Sequence, residues 1–307
     1  MAEEMDGALR VVSVSLGSPT RDHVAKAQLL GREWQLERVG TGGDLKRAIE
    51  LIEELDGKVA AIGLGGIDLY LIAGGVRYPV RDAQKLARAA QKTPVVDGSG
   101  LKDTLERGAL QSLQREGIVS FTGKKVGLTC AVDRFGMAEE FVHLGADVTF
   151  GDFIFILELP FKMKTLRAVR QAARVVLPIA CRLPFPLLYP TGEKQDKILD
   201  KRLQRQFFED NEIIAGDFLL MRRYLPTSLE GKTIITNTVT SKDIELLKDR
   251  GLAKLITTTP EFDGRSFGTN VMEGIFAAMG DKTGAEYKKR LDELGWKPRV
   301  LELQKSV

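Results

Sequence analysis

Short runs of β-branched and other apolar residues alternate along this chain with stretches whose apolar positions recur every three or four residues. That alternation is the pattern of parallel strands joined by crossover helices. In the first half it predicts strands at Arg10–Val14, Trp34–Val39, Val59–Gly63 and Thr93–Val96. A hairpin is expected from Leu69–Ile72 to Val76–Val80, turning at Gly74 and Gly75. Helical spacing covers Asp44–Leu55, Asp82–Ala90 and Leu101–Gln114.

Beyond a linker at Glu116–Gly123, the pattern predicts strand Lys125–Leu128, helix Phe135–Leu144 and strand Asp147–Phe150. Pro178, Pro184, Pro186 and Pro190 are expected to interrupt any helix in the middle of the chain. Strands resume at Glu212–Ile214, Thr233–Thr236 and Lys254–Thr257. A helix at Ser241–Arg250 starts at a Thr/Ser cap and stops before Gly251, and a last one covers Ala285–Leu294. The expected fold class is α/β with two lobes. An N-terminal α/β substrate lobe takes 1–120, a Rossmann-like doubly wound parallel sheet 121–281, and a C-terminal helical segment 282–307.

Composition narrows the class. The chain has 307 residues, 43% apolar and 28% charged, enough for two cores. A net charge of +3 is too small to point to nucleic acid. The basic stretch Lys194–Arg205 is interleaved with Asp196 and Asp200 and reads as a solvated helix face. Cys130 and Cys181 stand apart without Cys/His spacing, so neither a disulfide framework nor a metal site is expected. The acidic N-terminus has no apolar core of a signal peptide, and the run Val148–Phe161 is broken by Asp152, Glu158 and Pro160. The expectation is a cytoplasmic protein with no membrane partner.

The unit from Lys124 to Asp152 has the size of a dinucleotide-binding β-α-β module. In such a module the loop after the first strand and the helix start hold a pyrophosphate through backbone N–H groups. Thr129, Ala131, Asp133, Arg134 and Gly136 occupy that loop, and Asp152 ends the second strand, where an acidic residue accepts from a ribose diol. The loop carries Gly136 but no GxGxxG, so a sheet-building role stays open, as does a helix-capping role for Asp152. The expected cofactor is NAD or NADP, with the Asp152 carboxylate favouring NAD. Asp217, Asn237, Thr238 and Thr258 follow later strands and are candidates to face the same cofactor, because ligands of open α/β sheets bind beyond the carboxyl ends of strands.

Glycine and hydroxyl residues also follow strands in the first half, at Ser15–His23, Thr41–Asp44, Gly63–Asp68 and Asp97–Lys102. Ser15, Gly65, Gly66, Asp68, Ser99 and Gly100 are candidates to hold a small anionic or carboxylate substrate through backbone donors. Proton transfer falls to Lys102 with Asp97 or Asp68, with His23 as runner-up, while His143 reads as structural. No Gly-x-Ser-x-Gly elbow, HExxH or GxxxxGK[ST] loop occurs, which disfavours those hydrolases and kinases.

The segments SLGSPTRDH, TGGDLKRAIELIEELDG, GLGGIDLYLIAGG, DGSGLK and GLTCAVDRFGMAEE together resemble a bacterial group labelled quinate/shikimate 5-dehydrogenase-like. The resemblance covers most of the chain and implies a substrate lobe, a Rossmann lobe and NAD(P) in the cleft between them. A hydroxyl on a cyclic carboxylic acid would be the hydride donor. The Asn-Val-Thr-x-Pro-x-Lys and Asn-Thr-Asp segments of shikimate dehydrogenases are absent, so Lys102 and Asp97 rest on the residues of this chain alone. The expected function is an NAD(P)-dependent oxidoreductase acting on a small hydroxy acid. The alternatives are a non-catalytic small-molecule-binding or regulatory protein with a degenerate Rossmann site, and a nucleotide-dependent transferase. The apolar strands of the hairpin LYLIAGGVRYPV would either pair with a second subunit in a homodimer or be buried under the protein's own helices.

Overall fold

A computed structural model describes residues 8–184, 198–259, 261–262, 265–266 and 268–304. Pro186, Pro190 and the first four residues of the Lys194–Arg205 stretch lie outside the described residues.

The first sheet contains β1 (Leu9–Ser15), β2 (His23–Leu29), β3 (Arg32–Gly40), β4 (Ala61–Gly65) and β7 (Val95–Val96). Its order is β2-β3-β1-β4-β7, with β2 antiparallel to β3 and the other pairings parallel. Between β4 and β7 run the hairpin β5 (Tyr70–Ala73) and β6 (Val76–Pro79), while α1 (Leu45–Leu55), α2 (Arg81–Ala89) and α3 (Ser99–Arg115) complete this half. Strand β1 is buried on both faces from Val11 to Ser15, where three valines and two small serines sit between parallel neighbours. Strand β2 was not expected. HVAKAQL alternates exposed and half-buried positions at the sheet edge, so it carries few of the apolar residues that mark a strand.

The second half contributes α4 (Phe135–His143), α5 (Asp152–Phe155), α6 (Leu166–Ala180), α7 (Arg202–Asp210), α8 (Phe218–Arg222) and α9 (Ser241–Asp249). Its strands are β8 (Lys125–Leu128), β9 (Asp147–Phe150), β10 (Ile213–Gly216), β11 (Thr233–Thr236) and β12 (Lys254–Thr257). A short pair follows, β13 (Glu261–Phe262) and β14 (Arg265–Ser266), then α10 (Thr269–Ala278), α11 (Gly284–Glu293) and β15 (Arg299–Glu302). The second sheet has the order β15-β12-β11-β10-β8-β9, parallel except for β15. Val126, Ile213, Ile235 and Ile256 pack on one face with Phe141 of α4, and Ile214, Ile234 and Leu255 on the other with Phe207 of α7 and Leu247 of α9. This is a doubly wound Rossmann-like sheet, and the fold class is two-lobed α/β.

Helices α6 and α10 and the C-terminal segment depart from the sequence expectation. Helix α6 forms despite its proline, because Pro178 falls in the last turn and Thr165 caps the start by accepting the Ala168 N–H at 3.1 Å. Helix α10 returns to the first sheet, where Val271, Met272, Ile275 and Phe276 pack with Val11, Trp34 and Ala61. A Cβ on Gly274 would stand 2.7 Å from Val11 Cγ1, so the glycine sets how closely α10 meets β1. Because α10 is buried nearly all round, it has no polar stripe to reveal it. The segment 282–307, expected to be helical, also supplies β15, the antiparallel edge of the second sheet. Helix α3 links the two cores, with Leu101 and Leu105 beside α10 and Leu110 and Leu113 in the core that reaches the second sheet. Among the described residues, no helix is long and apolar enough to cross a membrane.

Both sheets have a point where the chain reverses its direction of growth. Strand β1 has β3 on one side and β4 on the other, and β8 has β9 on one side and β10 on the other. Such switch points leave a crevice beyond the carboxyl ends of the two central strands.

Candidate functional site

A lysine joins the two switch points. Beyond β4 the chain turns through Gly66, whose φ of +72° is left-handed, and Asp68 follows two residues later. Lys102 Nζ donates to Asp68 Oδ1 at 3.3 Å and to Asp133 Oδ1, in the loop after β8, at 2.8 Å. Lys102 stands one turn into α3, which starts at Gly98 with φ +89°. A Cβ on Gly98 would lie 2.6 Å from Asn270 N, so only glycine satisfies both the turn and the close approach of α10.

The network extends along the second sheet. Arg134, 3% exposed, binds Glu106 of α3, and its second terminal nitrogen lies 3.5 Å from Asp217 Oδ2. Asp217 caps α8 by accepting the Leu220 N–H at 3.1 Å, and it accepts from Asn237 Nδ2 at 2.8 Å. Asn237 Oδ1 in turn accepts the Phe218 N–H at 3.1 Å. The ends of β4, β8, β10 and β11 are therefore tied to α3 by one polar network.

Its charges do not balance. Among the described residues, Asp68, Glu106, Asp133 and Asp217 pair with just two cations, Lys102 and Arg134. Burial above all, with the charges of Asp68 and Asp217, pushes the Asp133 carboxyl up to about 7 against the pull of Lys102. For Lys102, burial works against the ammonium, but Asp133 and Asp68 outweigh it and hold the group above its ordinary value. Lys102 therefore stays an ammonium at neutral pH, beside a carboxyl held well above its ordinary range.

The other residues singled out in the sequence are placed differently. Asp97 does not join Lys102. Its Oδ2 accepts the Leu69 N–H at 2.5 Å and its Oδ1 accepts from Ser99 N and Oγ at 3.0 and 2.7 Å, fixing the turn into α3. Gly100 is exposed on the first turn of α3. His23 opens edge strand β2 rather than lying in a glycine loop, with Nδ1 2.8 Å from the Arg21 carbonyl and β3 and β1 between it and β4. Ser15 is buried, its Oγ accepting from Gly17 N at 3.1 Å and Arg38 at 2.9 Å, and Gly65 lies against it.

The loop expected to hold a pyrophosphate is closed from within. Thr129 and Ala131 are fully buried, and Thr129 Oγ1 donates to the Ala215 carbonyl at 3.3 Å. Gly136 admits the Asp103 carboxylate of α3 against the first turn of α4. Asp152 does not face an open ribose position. Its Oδ1 accepts the Val132 N–H at 3.0 Å, and the Ala131 N–H also points to it. Burial nevertheless pushes its carboxyl up, against the pull of those donors. Thr258 is buried, whereas Thr238 is half-buried and pairs with Thr259 Oγ1 at 3.1 Å. The partly open polar groups at the strand ends are Asp133, Asp217, Asn237 and Thr238. Among the described residues no group of three His, Cys, Asp or Glu side chains could hold a metal ion. A hollow of about 660 Å³ lies elsewhere, at the amino ends of the first-sheet strands near Lys58 and Thr93.

Sequence reasoning missed Glu106, Asn270 and Glu273. Glu106 was within reach, because it stands four residues after Lys102 and so shares its face of α3. Asn270 and Glu273 sit on the unrecognised α10 and carried no signal.

Comparison with known proteins places the chain in a family. A family model described as "Domain of unknown function (DUF8753)" matches residues 10–97, and one described as "Domain of unknown function (DUF8754)" matches residues 100–303. A search of curated proteins found no match. Among solved structures, the chain is similar to a glutamate dehydrogenase from Thermus thermophilus at 12% identity, covering 94% of this chain and 74% of that one, with a TM-score of 0.43. It is also similar to an L-tryptophan dehydrogenase from Nostoc punctiforme at 10% identity, over 94% and 81% of the two chains, with a TM-score of 0.37. GanP, a glucose-galactose binding protein from Geobacillus stearothermophilus, is 9% identical over 96% and 98%, with a TM-score of 0.39. Likenesses this distant carry no argument about activity. The match over residues 100–303 spans more than half of the sequence, and the chain belongs to the DUF8754 family of unknown function.

Proposed function

We propose that this protein is an NAD(P)-dependent oxidoreductase that moves a hydride to or from a small hydroxy acid of the quinate/shikimate kind. The substrate would lie where the two switch points meet. The observation that carries this reading is Lys102, held between Asp68 at the end of the first sheet and Asp133 at the end of the second. A protonated lysine there can donate to a carbonyl oxygen as it gains negative charge. Asp133, whose carboxyl titrates near 7, can take the proton of a hydroxyl in the reverse direction. The substrate carboxylate would be directed to the Gly65–Gly66 turn, away from the excess of carboxylates at the centre of the crevice.

The chain fits a nicotinamide nucleotide only in part. Asp217, Asn237 and Thr238 offer polar groups at the strand ends, but the N–H groups of Ala131 and Val132 are already satisfied by Asp152. When bound, the nicotinamide would supply the hydride donor or acceptor. The closed loop favours a second reading, a small-molecule-binding protein of the same shape without turnover.

Titration with NADH and NADPH, followed by a panel of cyclic and linear hydroxy acids, separates the two. The oxidoreductase reading expects saturable nucleotide binding, and turnover that falls at least about a hundredfold in Lys102→Met while nucleotide binding is kept. No binding of either nucleotide at millimolar concentration overturns it. A ligand-induced rise in melting temperature without turnover supports the second reading.

A further inference from the structure

Glu273 is a carboxylate buried in the wrong company. It lies midway along α10, 6% exposed, and the titratable groups that face it are Asp97, from the turn before α3, and the hydroxyl of Tyr287 on α11. Asp281 and Glu286, both acidic, stand behind Tyr287. Tyr287 donates to Oε1 at 3.1 Å, and the Gly98 and Gly100 N–H groups at the start of α3 also point to the carboxylate. Its other oxygen, Oε2, has no hydrogen-bond partner among the described residues. Helix α3 has no side-chain cap of its own, since its cap residue is Gly98. A Cβ on Gly100 would come within 2.5 Å of Glu273 Oε1, so the first turn of α3 is pressed directly onto this side chain. Glu273 thus meets the N-terminus of α3 from another helix. Its ionised form gains those N–H groups and the helix dipole, but it is buried beside Asp97 with no ion-pair partner among the described residues, and that cost outweighs the gain.

We propose that Glu273 is a proton-dependent positioning residue that, when protonated, seats the first turn of α3 against α10 and α11 and, when ionised, loosens that seat. Lys102 lies one turn further along α3, so the state of Glu273 would reach the crevice. That consequence rests on the reading of the crevice above; the clasp itself does not.

The direction follows from linkage. Burial, then the charge of Asp97, push the Glu273 carboxyl up from 4.5 to about 7, against the N–H and Tyr287 donors. A group raised on folding contributes stability that is complete below its unfolded value and is lost as pH rises through the folded one. Acid therefore tightens the clasp, and the balance between seated and loosened forms shifts on the order of a hundredfold between pH 4.5 and 7. A protonated carboxyl is mimicked by glutamine, whose amide keeps an acceptor for Gly98, Gly100 and Tyr287 and offers Asp97 a donor.

The two tryptophans of the chain report on this place. Trp34 and Trp296 both belong to the core formed by α3, α10 and α11. Tryptophan emission of the full chain, followed from pH 5 to 8.5, should change with a midpoint near 7. Glu273→Gln should give a flat, acid-like profile and melt above wild type at pH 8 while matching it at pH 5.5. Asp133 titrates in the same range but lies in the crevice, so Asp133→Asn should leave the emission midpoint in place. Tyr287→Phe removes a donor to the ionised form and should move the midpoint upward. The proposal is overturned if the change persists in Glu273→Gln, if Asp133→Asn abolishes it, if Tyr287→Phe leaves the midpoint unmoved, or if Glu273→Gln fails to fold. None of these outcomes bears on nucleotide binding, so the clasp and the oxidoreductase reading stand or fall separately.

Discussion

At the β1/β4 switch point the strands run out into glycine. Gly65 lies against Ser15, Gly66 takes a left-handed φ of +72°, and the turn then delivers Asp68. At the β8/β10 switch point the same topological place is filled by side chains. Asp152 takes the N–H groups of Ala131 and Val132, Asp103 reaches the first turn of α4 beside Gly136, and Arg134 is buried between Glu106 and Asp217. One crevice edge is shaped by backbone and the other by buried charge. Topology alone locates a ligand position at both, but at the first the Asp97 carboxylate takes the Leu69 N–H beyond the turn, whereas at the second Asp152 takes N–H groups of the loop itself. The second would have to release Asp152 before it could cradle a phosphate.

The comparison makes unequal demands on stability, and mutation can break it. The largest effect is expected at the charged edge. Arg134→Met leaves Glu106, 2% exposed, and Asp217 without their cation, which should cost about 3–5 kcal/mol in urea unfolding. Adding Glu106→Gln should recover a good part of that loss. A cost under about 1 kcal/mol for Arg134→Met would show that the network is solvated and the contrast between the edges false.

Asp152→Ala tests the same edge from the backbone side. It strips the Val132 N–H of its acceptor and should cost about 1–3 kcal/mol. If the loop can serve as an anion site, millimolar phosphate or nucleotide should restore part of the melting temperature in this variant and not in wild type. Equal effects on both proteins would argue that the loop does not take anions.

The smallest effect belongs to the glycine edge. Gly66→Ala places a Cβ 3.4 Å from Gly17 N at φ +72°, so only backbone strain of about 1 kcal/mol is expected. A larger loss than for Asp152→Ala would reverse the order of the two edges.

Much of the architecture was legible in the pattern of apolar positions. Helices α1, α2, α3, α4, α9 and α11 and most parallel strands stand within a few residues of their expected places, because each has an apolar stripe or run bounded by a cap or glycine. Strand β2 and helix α10 escaped for opposite reasons, the first being too polar at an open edge and the second too buried to be amphipathic. Lys102 was matched with Asp97 or Asp68. Asp97 spends both oxygens on its own turn, whereas Lys102 reaches Asp68 and also Asp133, 31 residues away, a partner that spacing along the chain could not show.

The sequence by itself determined two parallel α/β units and the loops that carry polar groups, because strand and helix periods and turn chemistry are local properties. Which of those loops face one another, and which carboxylates close them, was decided by α3 bridging the two cores and by α10 packing on the first sheet. Ion pairs between distant segments depend on that packing, since burial and charge neighbours exist only once the chain has brought them together.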